Sequence, residues 1–213
     1  MKTAASGIIK KYQFTGTLSR EELKALLSSE DGGVFEGLRR EADRVRREWV
    51  GDAVHLRGII EFSNFCRRSC AYCGINRHNR GLPRYRLTPE EVVETARRAA
   101  KLGFKTVVLQ SGEDPFYTTE LLAEVVREIK KAEVAVTLSV GERPPEDYRA
   151  WREAGADRYL LKFETSDPRL YARLHPGCSL DQRLRCLHSL KELGYQAGSG
   201  NIVGLPGQSV DTL

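Results

Sequence analysis

Apolar positions along the chain first recur at helical spacing and then alternate in short runs that suit strands. Ser19 with Glu22 three residues later reads as a capping box, and Leu23, Leu26 and Leu27 beyond it predict a short amphipathic helix. A second helix is predicted over 33–50, where Val34, Phe35, Leu38, Ala42, Val45 and Trp49 share one side while Arg39, Arg40, Arg46 and Arg47 crowd the other. That basic side reads as a solvated helix face.

Beyond Gly51 the rhythm changes. Strands are predicted over 54–63, 106–110, 135–140, 158–165 and 196–203, and helices over 88–102, 118–131, 145–154 and 179–193. Thr88-Pro89-Glu90-Glu91 supplies an N-cap, a proline and acids for a first turn, and Gly103 and Gly194 stop two of the helices. Alternation at this pitch predicts successive crossover units, hence a parallel sheet with helices outside it. An N-terminal helical segment, 1–50, is thus expected to precede an α/β domain over 51–213.

The strand faces separate a barrel from a doubly wound sheet. His55, Arg57, Ile59, Glu61 and Ser63 fall on one side of the first strand, Thr137, Ser139 and Gly141 on one side of the third, and Leu160, Lys162 and Glu164 on one side of the fourth. Those sides are largely polar, whereas Leu56, Ile60 and Phe62, or Tyr159, Leu161 and Phe163, suit packing under helices. A polar face enclosing a cavity fits a (β/α) TIM-type barrel better than a sheet apolar on both sides, and with about five βα units the barrel is expected to be incomplete.

Composition narrows the partners. The 213 residues carry 34 Lys plus Arg against 29 Asp plus Glu with the signs interleaved, so the net charge of +5 gives little reason to expect a nucleic acid. No apolar run approaches the ~20 residues that span a bilayer. Residues 1–11 lack the apolar stretch of a signal peptide, so no membrane is expected and a cytoplasmic location is. Five cysteines, an odd number in a chain too long to need disulfide staples, are expected to be reduced thiols.

Cys66, Cys70 and Cys73 follow the first predicted strand, and three thiolates within eight residues select an iron-sulfur cluster or zinc. Zinc would take a fourth protein ligand, and His78 makes a structural site of three Cys and one His the alternative. Three cysteines on a 4Fe-4S cubane leave one iron open to a substrate or cofactor. A loop at the carboxyl end of a barrel strand is also where such folds keep their chemistry. Cys178 and Cys186, on or beside the last helix, are expected to be packing or surface thiols away from this loop.

The spacing, with Tyr72 just before the last cysteine, resembles the radical S-adenosylmethionine superfamily. The resemblance implies a 4Fe-4S cluster on Cys66, Cys70 and Cys73 whose open iron chelates S-adenosylmethionine through its amino and carboxylate groups. It also implies one-electron cleavage of the sulfonium to a 5'-deoxyadenosyl radical, fed by a reductant such as flavodoxin or ferredoxin. Implied cofactor contacts are Ser111, Gly112 and Glu113 toward the methionyl ammonium, Arg183 toward its carboxylate, Glu164 toward ribose hydroxyls and Ile202 toward adenine, with Tyr72 and Ser139 in the same site. Ser111 stands where the family has a first glycine, a departure that Gly112 makes tolerable.

Longer strings, at 57–64, 108–115, 136–142, 157–165 and 203–208, resemble the HydE family, which helps assemble the catalytic cluster of FeFe hydrogenases and is related to biotin synthase and methylornithine synthase. This resemblance covers residues 50–213 and implies an iron complex carrying cysteine, carbonyl and cyanide as substrate, delivered by another hydrogenase maturase. Arg57, Gln110, Thr137 and Lys162 are the substrate-facing candidates, and Lys162 replaces an arginine of some members, weakening any bidentate carboxylate pairing there. A biotin synthase-like or methylornithine synthase-like enzyme is the alternative, and a zinc-stabilised RNA-binding module the rival from another class. Only five strands precede Leu213, so the chain is expected to be the amino-terminal portion of an enzyme and not to turn over alone.

Overall fold

Side-chain caps open most helices of the computed structural model, which describes residues 2–213. The chain up to Val54 together with Gln208–Leu213 makes one compact unit, and His55–Gly207 makes a second. In the first, α1 (Lys2–Thr15), α2 (Arg20–Leu27) and α3 (Gly32–Val50) are joined by a 3-10 turn at Val210–Thr212. Ser19 and Glu22 form the capping box on α2, and Asp31 caps α3 by accepting from Gly33 N at 2.8 Å. Helix α1 is not among the predicted elements: no acid marks its first turn, and Ile8 and Ile9 are only partly buried. Leu26 and Val34 form the buried centre of this unit.

Phe35 and Trp49, placed on the apolar side of α3 by periodicity, are 70% and 79% exposed, so the buried stripe is narrower than the spacing implies. The basic side of α3 is largely self-neutralised. Arg39 pairs with Glu36 at 2.8 Å, Arg44 with Glu41 at 2.7 Å, and Arg46 and Arg47 with Asp43 at 2.9 and 2.7 Å. Pairs three and four residues apart on one helix are those expected of a solvated face.

The second unit is built on five parallel strands in sequential order: β1 (Gly58–Ser63), β2 (Thr106–Ser111), β3 (Ala135–Ser139), β4 (Arg158–Leu160) and β5 (Gln196–Gly198). Between them run α4 (Pro89–Lys101), α5 (Thr119–Lys130), α6 (Pro145–Glu153), α7 (Pro168–Leu174) and α8 (Leu180–Glu192). Thr88 and Glu91 cap α4 reciprocally, Thr118 caps α5 and Ser179 caps α8. Ile60, Phe62, Val107, Leu109, Val136, Leu138, Tyr159 and Leu161 bury one sheet face against residues such as Val92, Val126, Trp151 and Leu190 of the helices. Each such side chain contributes about 1.5–3 kcal/mol, so this face anchors the sheet and leaves the other free for chemistry.

Sheet order and one-sided packing make the unit an α/β barrel wall whose edges, β1 and β5, are not joined among the described residues. Strands β4 and β5 are shorter than predicted because the chain leaves the ladder after Leu160. It returns only as a bridge between Glu164 and Asn201, with Glu164 in the left-handed region at φ 66°. Strand β1 begins later than predicted. Val54 and Leu56 are exposed before it, and Arg57 lies outside the sheet. Among the described residues no helix is long and apolar enough to cross a membrane.

Candidate metal centre

The pleat carries Glu61, Gln110 and Ser139 to one level of the unpacked face, since Glu61 is registered with Gln110 and Gln110 with Ser139. Beyond that level the carboxyl ends of the strands open into a cavity of about 360 Å³. The loop after β1 forms its rim. Arg84 braces this loop from within, donating to the carbonyls of Asn64, Ile75 (2.8 Å), Asn76 (2.7 Å) and Asn79 (3.2 Å). Held in this way, Cys66, Cys70 and Cys73 all line the cavity.

The loop after β2 presses on the cysteine loop. Gly112 N donates to Ser63 O at 3.3 Å, Arg67 N to Glu113 O at 3.1 Å, and the amides of Arg68 and Glu113 each approach Cys66 Sγ at 3.4 Å. Both Glu113 carboxylate oxygens are engaged, Oε2 by Arg67 (3.0 Å) and Arg68 (2.5 Å) and Oε1 by Glu142 N (2.9 Å). Arg68 also donates to Glu142 at 3.1 Å, and Arg183 Nε donates to the other Glu142 oxygen at 2.6 Å, so alternating charges form a frame beside the cysteine loop whose two carboxylates are buried.

Glu164 closes the opposite side. Its carboxylate is 8% exposed, accepts from Tyr72 OH at 3.2 Å through Oε1, and has no partner at Oε2. Burial raises its pKa, against the lowering effect of Lys162, Tyr72 and Arg183. A left-handed non-glycine residue with an unsatisfied buried oxygen is a costly arrangement, of the kind that clusters at functional sites.

Of the sequence candidates, Tyr72, Ser111, Gly112, Glu113, Ser139, Glu164, Arg183, Gln110 and Lys162 line this cavity. Arg57, Thr137 and Ile202 are not among its lining residues. Arg57 is exposed ahead of β1. Thr137 is buried one level below Ser139 with its hydroxyl unpaired, and Ile202 donates its N–H to Glu164 O at 2.8 Å. His78, the zinc alternative's fourth ligand, is exposed and lies 3.1 Å from Ser69 Oγ.

Cys178 corrects its expectation. It lines the same cavity as the three cysteines, with Arg68 Nη1 donating to its sulfur at 3.1 Å, because α7 folds the 175–178 turn back onto the cysteine loop. Cys186 is buried in the core as expected. His175, unremarked in the sequence, lies 3.2 Å from Cys70 Sγ through Nδ1. The signal for both was Asp167-Pro168, which caps and opens α7.

The donor set fits a polynuclear centre. Burial, then repulsion from Cys66, Cys73 and Cys178, pushes the Cys70 thiol up to about 11, a penalty that thiolate ligation to cationic iron removes. The unpaired Glu164 oxygen, across the same cavity, fits a donor-bearing organic group such as a ribose.

The fold and the three-cysteine cavity are those of the radical SAM superfamily, whose profile matches residues 60–213, and the chain belongs to that family. Its members use a 4Fe-4S cluster and S-adenosylmethionine. Within it the chain is 56% identical over 205 residues to the FeFe hydrogenase maturase subunit HydE of Thermotoga maritima, an overlap covering 96% of this chain and 58% of that protein. It is 35% identical to the 3-methylornithine synthase of Methanosarcina acetivorans, covering 93% of this chain and 56% of that protein. The crystal structure of methylornithine synthase PylB superposes with a TM-score of 0.87 at 32% identity, over 98% of this chain and 61% of that one. The chain therefore spans little more than half the length of the relatives it matches.

Proposed function

We propose that this chain carries the cluster and S-adenosylmethionine sites of a HydE-type enzyme of FeFe hydrogenase assembly, working in the cytoplasm. The observation that carries the proposal is the shared cavity of Cys66, Cys70, Cys73 and the unpaired Glu164 oxygen, in a chain 56% identical to HydE.

Cys66, Cys70 and Cys73 would hold a 4Fe-4S cluster, with one iron left to the methionyl group. Bound together, cluster and S-adenosylmethionine would supply 5'-deoxyadenosyl radical chemistry, with a reductant such as flavodoxin or ferredoxin as the electron source. Arg183, fixed by Glu142 at 2.6 Å, presents a guanidinium for the methionyl carboxylate. Ser111 and Gly112 offer backbone to the ammonium, and Glu113 acts through the frame by holding Arg67 and Arg68 against the cysteine loop. Glu164 accepts from ribose hydroxyls, oriented by Tyr72. Ile202 acts through its backbone bond to Glu164. Toward the barrel axis, Gln110 and Lys162 present an amide and a cation suited to an anionic iron complex handed over by another maturase.

The test is a hydrogenase maturation mixture lacking HydE, supplemented with the full-length protein that contains this chain. Active hydrogenase should appear. Conversion of dethiobiotin to biotin, with no hydrogenase activity, would assign the enzyme elsewhere in the superfamily.

A further inference from the structure

Among the cavity-lining groups to which neither cofactor binding nor substrate binding gives a part, His175 is the most closely tied to the cysteine loop. His175 is 1% exposed and ends α7, its N–H donating to Tyr171 O at 2.8 Å. The ring stacks on Tyr171 at 4.3 Å and 24° and meets Tyr72 edge-on at 5.4 Å, so it cannot turn freely. Nδ1 lies 3.2 Å from Cys70 Sγ, and Nε2 is buried with no partner. One residue away on each side, Ala71 N donates to Leu174 O at 2.8 Å and pins the cysteine loop to the same helix end.

These contacts select the tautomer. A hydrogen on Nε2 would be a buried donor without an acceptor, whereas a hydrogen on Nδ1 points at sulfur. We propose that His175 is a positioning residue of the metal centre, donating its Nδ1 hydrogen to the Cys70 sulfur and raising the reduction potential of the cluster held there. The inference rests on the cluster reading above. Its physical basis is that the reduced cluster carries more negative charge on its sulfurs, so a hydrogen bond to a ligand sulfur stabilises the reduced form more than the oxidised one. Cys66 already receives two backbone donors at 3.4 Å, which no side-chain truncation removes, while the donor to Cys70 is a side chain and therefore adjustable.

Three variants of the reconstituted protein test this by redox titration monitored by electron paramagnetic resonance. His175→Phe keeps a flat ring against Tyr171 and loses the donor. His175→Asn retains an amide nitrogen near the position of Nδ1, and His175→Gln carries it one carbon further, near Nε2. At unchanged iron and sulfide content, the midpoint potential should shift downward in H175F and H175Q and return toward wild type in H175N. Equal midpoints in all four proteins would overturn the role of His175 and leave the cluster reading standing. Should H175F take up no cluster, H175Q against H175N decides: a lower midpoint in H175Q supports the role, an equal one overturns it. A wild-type protein that takes up no cluster overturns both.

Discussion

Gly112 lies so close to the cysteine loop that a Cβ built on it would stand 2.6 Å from Cys66 Cβ and collide with Phe65 O. The glycine is required by this approach, for Gly112 is absent from the positive-φ glycines. G112A should therefore force the two loops apart, costing about 1–3 kcal/mol in denaturant unfolding and lowering iron retention. The control is G74A in the cysteine loop, where an added Cβ meets nothing within 4 Å and neither quantity should change.

Thr137 supplies a test of the cavity's floor. Its hydroxyl is buried without a partner, so T137V, nearly isosteric, should stabilise the fold by about 1 kcal/mol by removing an unsatisfied group. Binding of S-adenosylmethionine should be untouched. Loss of stability, or of binding, would show that the hydroxyl serves the cavity after all.

Replacing Glu164 should separate function from stability. E164Q removes the charge from a buried carboxylate whose pKa burial has raised, so thermal unfolding should not occur at a lower temperature than in wild type. Affinity for S-adenosylmethionine, measured by calorimetry on the reconstituted protein, should fall about tenfold with the loss of a charged acceptor for ribose hydroxyls. An unchanged affinity would remove Glu164 from the site.

Acid should weaken the cluster-free protein through His175. Burial, with Arg183 and Arg68 adding to it, holds its pKa down at about 4, from an ordinary 6.5. Between these values the unfolded chain binds a proton that the folded one does not, so this contribution is complete above pH 6.5 and is lost as the pH falls toward 4. It amounts to at most about 3 kcal/mol. Urea unfolding across that range should show the slope in wild type and lose most of it in H175N.

What the sequence made legible was local or periodic. Thr88 with Glu91 and Ser19 with Glu22 cap their own helices, and the alternation that put Glu61 and Ser139 on a polar face follows from the pleat alone. The three cysteines declared themselves by proximity in the chain. Helix α7 was missed because seven residues are too few for a helical period to show. With it went His175 and Cys178, which meet Cys70 and Arg68 across 105 and 110 residues. Arg57 and Thr137 were assigned to the cavity by parity, which fixes the face of a strand and not the height along it.

The most direct measurement is the electron paramagnetic resonance spectrum of the reduced, anaerobically reconstituted protein with and without S-adenosylmethionine. If Cys66, Cys70 and Cys73 hold the cluster as proposed, the reduced-cluster signal should change its g-values when the sulfonium compound is added, and the signal should be lost in C70S. A signal indifferent to S-adenosylmethionine, or a chain that binds zinc and gives no signal, would contradict the account.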